Sequence, residues 1–198
     1  MTRLSRKFYQ RDAATLARAL LGQVLVRVLD DGTRLAGRII ETEAYLGVED
    51  KAAHSYGGRH TPRNAAMWGP AGHAYVYFIY GMHYCMNVVA RRPGEPEAVL
   101  LRGLEPLEGL EVMRAHRAGR IPAARLEPHN LCSGPARLAQ ALAIDRALDH
   151  ADLVTGEALF IERGRRVPPD RIVATPRIGV GYAEEWAEQP LRFVIAAD

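Results

Sequence analysis

Stretches of alternating apolar residues and stretches with helical spacing divide this chain into strand pairs joined by tight turns, with helices between them. Asp12 is placed to cap a helix running to about Leu21, which Gly22 ends. Residues 23–29 and 33–45 predict a hairpin closed by Asp31-Gly32. Thr61-Pro62 supplies a cap and a first-turn proline for a short helix through Met67. Residues 74–79 and 84–90 predict a second hairpin, with Tyr80-Gly81-Met82-His83 at its tip. Further on, 98–104 predicts a strand, and 107–118 a helix with Leu107, Leu110 and Met113 on one face. Ser133 is expected to cap a helix from Pro135 to about Ile144. Residues 158–162, 172–174 and 191–195 predict short strands, with a helical turn near Glu184-Glu185-Trp186. No repeat, low-complexity tract or linker splits the chain, so residues 1–198 predict a single α+β domain around a mainly antiparallel, curved sheet.

One span departs from what a packed core needs. In Glu41-Thr42-Glu43-Ala44-Tyr45 the period-two alternation of a strand puts two carboxylates and an aromatic ring on one face. Ala53-His54-Ser55 follows, and Tyr75-Val76-Tyr77-Phe78-Ile79-Tyr80-Gly81-Met82 ends in a Tyr-Gly corner. A carboxylate, a histidine and several tyrosines are the parts that hold a flat heterocycle between rings and act beside it. Each motif alone fits an ordinary core strand; together they favour a site.

Composition narrows this only a little. The apolar and charged fractions are 48% and 25%, ordinary for a globular chain. No apolar run approaches a membrane span, and Met1-Thr2-Arg3-Leu4-Ser5-Arg6-Lys7 lacks the apolar centre of a signal peptide, so an intracellular location is expected, cytoplasm or nucleoid in a bacterium. Cys85 and Cys132 show no pairing pattern and read as small buried hydrophobes in a reducing compartment. The formal charge of +3 is compatible with a nucleic-acid partner.

These residues closely resemble the alkyladenine DNA glycosylase family, also called 3-methyladenine or methylpurine DNA glycosylases. The matching runs are Glu41-Thr42-Glu43-Ala44-Tyr45-Leu46-Gly47, Ala53-His54-Ser55, Thr61-Pro62-Arg63-Asn64, Tyr75-Val76-Tyr77, Tyr80-Gly81-Met82 and Cys85-Met86-Asn87. Leu101-Arg102, Leu104-Glu105-Pro106-Leu107-Glu108-Gly109, Leu131-Cys132-Ser133-Gly134-Pro135, Arg177-Ile178-Gly179-Val180-Gly181 and Pro190-Leu191-Arg192-Phe193 continue the match to the end of the chain. The resemblance implies flanking helices, a protruding hairpin that intercalates into DNA, and a monomeric, cofactor-free and metal-free enzyme. Its partner would be double-stranded DNA carrying damaged purines, whose N-glycosidic bond it would cut without lyase activity.

Carried over residue by residue, Glu43 resembles the general base that activates the attacking water, and Arg102 the partner that holds carboxylate and water. Strand parity does not separate Glu41 from Glu43; the resemblance alone selects Glu43. Tyr45, His54 and Tyr77 resemble the walls of the base pocket, where aromatic faces attract electron-poor alkylated purines. Asn87 resembles the residue whose amide crowds the exocyclic amine of guanine. Tyr80 resembles the wedge that fills the gap left by a flipped nucleotide, with Met82 and His83 flanking it and Arg59 and Thr61 toward the backbone. Met67-Trp68-Gly69-Pro70-Ala71-Gly72 and the loop 91–96 fit the pattern less well.

The sequence also admits readings from other classes. A metal-dependent hydrolase would draw on Glu41, Glu43, Asp50, His54 and His60, although no HExxH or CxxC spacing is present. A zinc deaminase lacks both of its signatures, and a non-catalytic nucleic-acid-binding module stays open. Lysine is scarce. Lys7 is expected ahead of the first helix and Lys51 beside an exposed acidic pair, Glu49-Asp50, so neither suits a low-pKa amine that would attack the sugar.

Overall fold

A computed structural model describes residues 2–119 and 122–196. The chain opens with a single helical turn, α1 (Arg6–Tyr9), and then α2 (Ala13–Leu20). Asp12 caps α2 as expected, its carboxylate accepting from the Thr15 amide at 2.8 Å. β1 (Val24–Val28) and β2 (Arg34–Tyr45) form the first hairpin, and β3 (Ala74–Ile79) and β4 (His83–Val89) the second. β5 (Ala98–Glu108) leads into α3 (Leu110–Arg117), α4 (Pro128–Leu131) and α5 (Pro135–Ala141). Three short strands, β6 (Leu159–Glu162), β7 (Ile172–Thr175) and β8 (Arg192–Ile195), complete the described chain.

All described strand pairings are antiparallel, in the order β3-β4-β5-β2-β1-β6, with β7 on β8 and β8 on β2. The long strand β2 organises this sheet. Its first half pairs with β1 and its residues 41–43 pair with β8, while β5 runs along the other edge. The β2–β5 register slips between Ile39 and Thr42, where β1 gives way to β8. A bulge there bends the strand and re-aims its side chains, and it falls beside Glu41 and Glu43. The fold is thus the expected α+β class around a curled antiparallel sheet.

Period two then decides which residues meet the helices. Ala44, Val76, Met86, Val88, Val99 and Leu101 belong to the main core, with Leu16 and Leu20 of α2 and Leu138 and Ala139 of α5. Thr42 faces the same way, and its hydroxyl donates to the Ala17 carbonyl at 3.0 Å.

Four local expectations are corrected. Leu107 is not helical: it lies in β5, about half exposed, because pairing of residues 104–108 with β2 extends the strand to Glu108. Gly109 takes a positive φ of 77°, and a Cβ there would sit 2.4 Å from Leu35, so the helix starts only after it. Residues 61–64 form a turn, followed by a short 3-10 helix at Ala65–Trp68. The Asn64 side-chain Oδ1 accepts from the Thr61 amide and hydroxyl at 2.7 and 3.1 Å, which closes the turn against helix propagation. Ser133 does not cap α5; its hydroxyl turns back to the Asn130 carbonyl, and α5 ends at Ala141. Asp50, expected exposed, is fully buried.

Candidate active site

The face of β2–β5 turned away from the helices surrounds a cavity of ≈ 340 Å³, at the small end of the range for ligand sites. Sequence spacing alone brings its walls together. On β3, Tyr75 and Tyr77 point opposite to Val76 and stack on each other with centroids 5.2 Å apart. On β4, Cys85 and Asn87 alternate with Met86, and on β5 Leu100 and Arg102 alternate with Leu101. Tyr45 enters from the end of β2.

His54 completes the aromatic wall from the loop after β2. Its ring meets Tyr77 edge-on at 4.7 Å, and its Nδ1 lies 2.7 Å from the Tyr75 hydroxyl. Burial, with Arg63 and Arg59 close by, lowers its pKa to about 4. The ring is therefore neutral at neutral pH and does not repel a cationic ligand. Burial raises the Tyr77 hydroxyl well above its ordinary range, so it keeps its proton.

Glu43 sits directly behind this wall with no solvent-exposed surface. Its Oε1 accepts the Ile178 amide at 2.8 Å and lies 3.3 Å from Arg102 Nη1; its Oε2 accepts the Tyr45 hydroxyl at 2.9 Å. All three partners line the cavity, whereas the carboxylate lies one layer back. Burial and then the Glu43 charge push the Tyr45 pKa well up, so that hydroxyl remains a donor. Glu41 shares the face of Glu43 but is bound differently. Arg102 Nε and Arg192 Nε hold its Oε1 at 3.0 and 2.6 Å, outside the cavity lining. Arg102 thus bridges both carboxylates. Its strand is tied to the start of α5 by the Gly134 amide, which donates to the Arg102 carbonyl at 3.0 Å.

Asn87 is buried in the cavity wall, and its Nδ2 donates to the Tyr75 carbonyl at 3.4 Å. Tyr80 stands at the hairpin tip, 81% exposed, and lines the cavity mouth. Its φ of 54° and the 67° of Gly81 make a tight turn, and a non-glycine residue in that region is strained. Met82 is exposed at the tip, and His83 is half-buried in the cavity lining. Arg59 and Thr61 lie apart from these, in an adjoining cleft of ≈ 380 Å³ with Lys51 and Arg63.

Asp50 takes the Arg177 guanidinium in a buried two-pronged pair, at 2.5 and 2.9 Å. His60 stacks on Trp68 at 4.9 Å. With Glu41 and Glu43 bound to arginines, the five groups a metal-dependent hydrolase would use are not gathered, and among the described residues no other His, Cys, Asp and Glu cluster suits a metal. Lys7 is exposed and lies ahead of the Asp12-capped helix α2 as expected, within the additional turn α1. Lys51 bonds Glu184 and Glu185 at 2.7 and 3.0 Å, and those carboxylates raise its pKa well above the ordinary value. Cys132 is buried in the main core and Cys85 in the cavity wall; both are free thiols whose pKa burial raises. No helix among the described residues is long and apolar enough to cross a membrane.

Two contributors had no assigned role in the sequence: the Ile178 amide on Glu43 and the exposed ring of Tyr182 at the cavity rim. The glycine-flanked run Ile178-Gly179-Val180-Gly181-Tyr182 was the available signal, because two nearby glycines let backbone reach a site closely.

The family model described as methylpurine-DNA glycosylase (MPG) matches residues 7–198. The chain belongs to that family. DNA-3-methyladenine glycosylase of Homo sapiens is 54% identical, with 98% of this chain and 66% of that one aligned. The Mus musculus protein of the same name is 53% identical, with 98% and 59% aligned. A relative from Clostridium acetobutylicum, named only provisionally as a 3-methyladenine DNA glycosylase, is 48% identical over 98% of this chain and 94% of its own length. The chain spans less than two-thirds of the length of either mammalian relative.

Proposed function

We propose that this chain is a monofunctional DNA glycosylase of base excision repair. It acts as a monomer inside the cell, on double-stranded DNA carrying alkylated or deaminated purines, the class of 3-methyladenine, 7-methylguanine, hypoxanthine and ethenoadenine. The observation that carries the reading is the carboxylate of Glu43, buried behind an aromatic cavity and tied to it through three lining residues. Family membership and the relatives' names support it. A purine extruded from the helix lies between Tyr45, His54 and Tyr77, where ring faces favour the positive charge of an alkylated base.

Glu43 then acts on water. A carboxylate has about four acceptor positions. Two of them hold the Ile178 amide and the Tyr45 hydroxyl, and a third faces Arg102, which leaves one on Oε2. Because Glu43 has no exposed surface, the attacking water is drawn in past the Tyr45 hydroxyl as the nucleotide enters. Glu43 takes a proton from that water while the water oxygen bonds to the anomeric carbon and the C–N bond breaks. The electron pair leaves with the purine, and the negative charge steadies the oxocarbenium character of the sugar. Glu41 is less suited, since Arg102 and Arg192 hold it outside the cavity.

The buried amide of Asn87 crowds the exocyclic amine of guanine, Tyr80 fills the vacated stack with Met82 and His83 beside it, and Arg59 and Thr61 face the backbone. No amine serves as nucleophile: Lys51 is held protonated by two glutamates. Incubation with duplexes carrying one hypoxanthine or ethenoadenine tests this. The expected products are the free base and an intact abasic strand that breaks only with alkali, with no borohydride-trapped adduct. No base release would overturn the glycosylase reading, and an adduct lost in Lys51→Ala would overturn the water mechanism.

A further inference from the structure

Three of the exposed large hydrophobic residues, Tyr80, Ile178 and Tyr182, line one cavity. Tyr80 is the wedge of the reading above. Tyr182, 69% exposed, has no role in it. Exposed apolar residues gathered around one cavity, rather than scattered singly, mark a contact surface.

The backbone here is held on several sides. Buried Arg177 donates to Asp50, to the Ala44 carbonyl at 2.9 Å and to the Trp186 carbonyl at 3.2 Å. Val180 and Ala183 are buried with Ala52. Lys51 clamps Glu184 and Glu185, and Glu184 holds a φ of 50° that a non-glycine residue rarely adopts. Between these anchors, nothing lies within 4 Å of where a Cβ would sit on Gly179 or Gly181. The strip is anchored at both ends, and Gly179 and Gly181 leave open space on either side of Val180, so an incoming strand can approach closely.

Tyr182 also occupies a junction. Among the described residues, only it, His54 and Tyr75 line both the aromatic cavity and the adjoining cleft that holds Lys51, Arg59 and Arg63. His54 and Tyr75 bond to each other within the wall, which leaves Tyr182 as the exposed ring. A nucleotide with its base in the cavity and its phosphate toward the cations has its sugar at this boundary.

We propose that Tyr182 is a second aromatic DNA contact, packing against the sugar and base edge of the extruded nucleotide and setting how deep the base sits. The inference rests on the glycosylase reading. It differs from the wedge in what is touched: Tyr80 replaces the missing base in the stack, whereas Tyr182 holds the nucleotide that left.

The test measures single-turnover release of hypoxanthine from duplex DNA by the parent chain, Tyr182→Ala and Tyr182→Phe, together with affinity for undamaged duplex. Losing one aromatic contact should slow Tyr182→Ala about tenfold while undamaged-duplex affinity stays within about twofold. Tyr182→Phe keeps the ring but loses the 3.4 Å bond from the hydroxyl to the Ala52 carbonyl, and it should recover to within about threefold of the parent. A phenylalanine variant as slow as the alanine one would mean that the tether matters and not the ring, which overturns the proposal. So would undamaged-duplex binding that falls as far as excision. A parent that releases no base overturns the glycosylase reading and this inference with it; an active parent with Tyr182→Ala within about twofold overturns the Tyr182 assignment alone.

Discussion

On one face of β3, β4 and β5, Val76, Met86, Val88, Val99 and Leu101 are buried among the aliphatic side chains of α2 and α5. On the other face, Tyr75, Tyr77, Cys85, Asn87, Leu100 and Arg102 line a cavity with a buried carboxylate behind it. The same three strands supply both sets by alternation. The helix-facing set has no polar side chain and can be satisfied by packing alone. The cavity-facing set carries hydroxyls, an amide and a guanidinium, each oriented by a partner, and it leaves space where a core would fill it. One face is therefore filled by packing, and the other leaves a cavity lined by polar and aromatic groups.

Mutations should separate the two faces. Met86→Ala removes a fully buried side chain from the aliphatic face and should cost about 2–5 kcal/mol in urea unfolding, with the excision rate per folded molecule nearly unchanged. A large loss of rate in the folded fraction would mean that the faces are not independent. Tyr80→Ala touches nothing in the core, so its melting temperature should match the parent. The vacated stack would lose about 1–3 kcal/mol of support, read as a smaller ethenoadenine fluorescence change on binding and a faster return of the base. Unaltered flipping kinetics would remove Tyr80 from the wedge role. The smallest effect is expected at Asn87. Asn87→Ser opens room for the guanine amino group and should raise guanine release relative to hypoxanthine by about 1 kcal/mol, several-fold in the ratio. An unchanged ratio would leave Asn87 as a wall amide bonded to the Tyr75 carbonyl.

Much of the fold was legible because alternation, the Asp31-Gly32 turn and the Tyr80-Gly81 corner are local signals. The errors arose where a distant partner outweighed a local one. Leu107 fits a helical face, yet β2 claims it as strand; Asn64 closes a turn where Thr61-Pro62 would have opened a helix. In the site, the shared face of Glu41, Glu43 and Tyr45 was readable from parity, and it persists despite the slip in the β2–β5 register. Parity could not rank the two carboxylates. What separates them is long-range: the Ile178 amide reaches Glu43 across 135 residues, and Arg192 reaches Glu41 across 151. Asp50 reads as exposed from its neighbours alone for the same reason, since its partner Arg177 lies 127 residues on.

The most direct test compares single-turnover excision by the parent chain and Glu43→Gln on one ethenoadenine duplex, with binding measured in parallel. The amide keeps the shape of Glu43 but cannot take a proton from water. Release should fall by about two to four decades while duplex binding survives. Activity within a few-fold of the parent would contradict the account and move the base to Glu41.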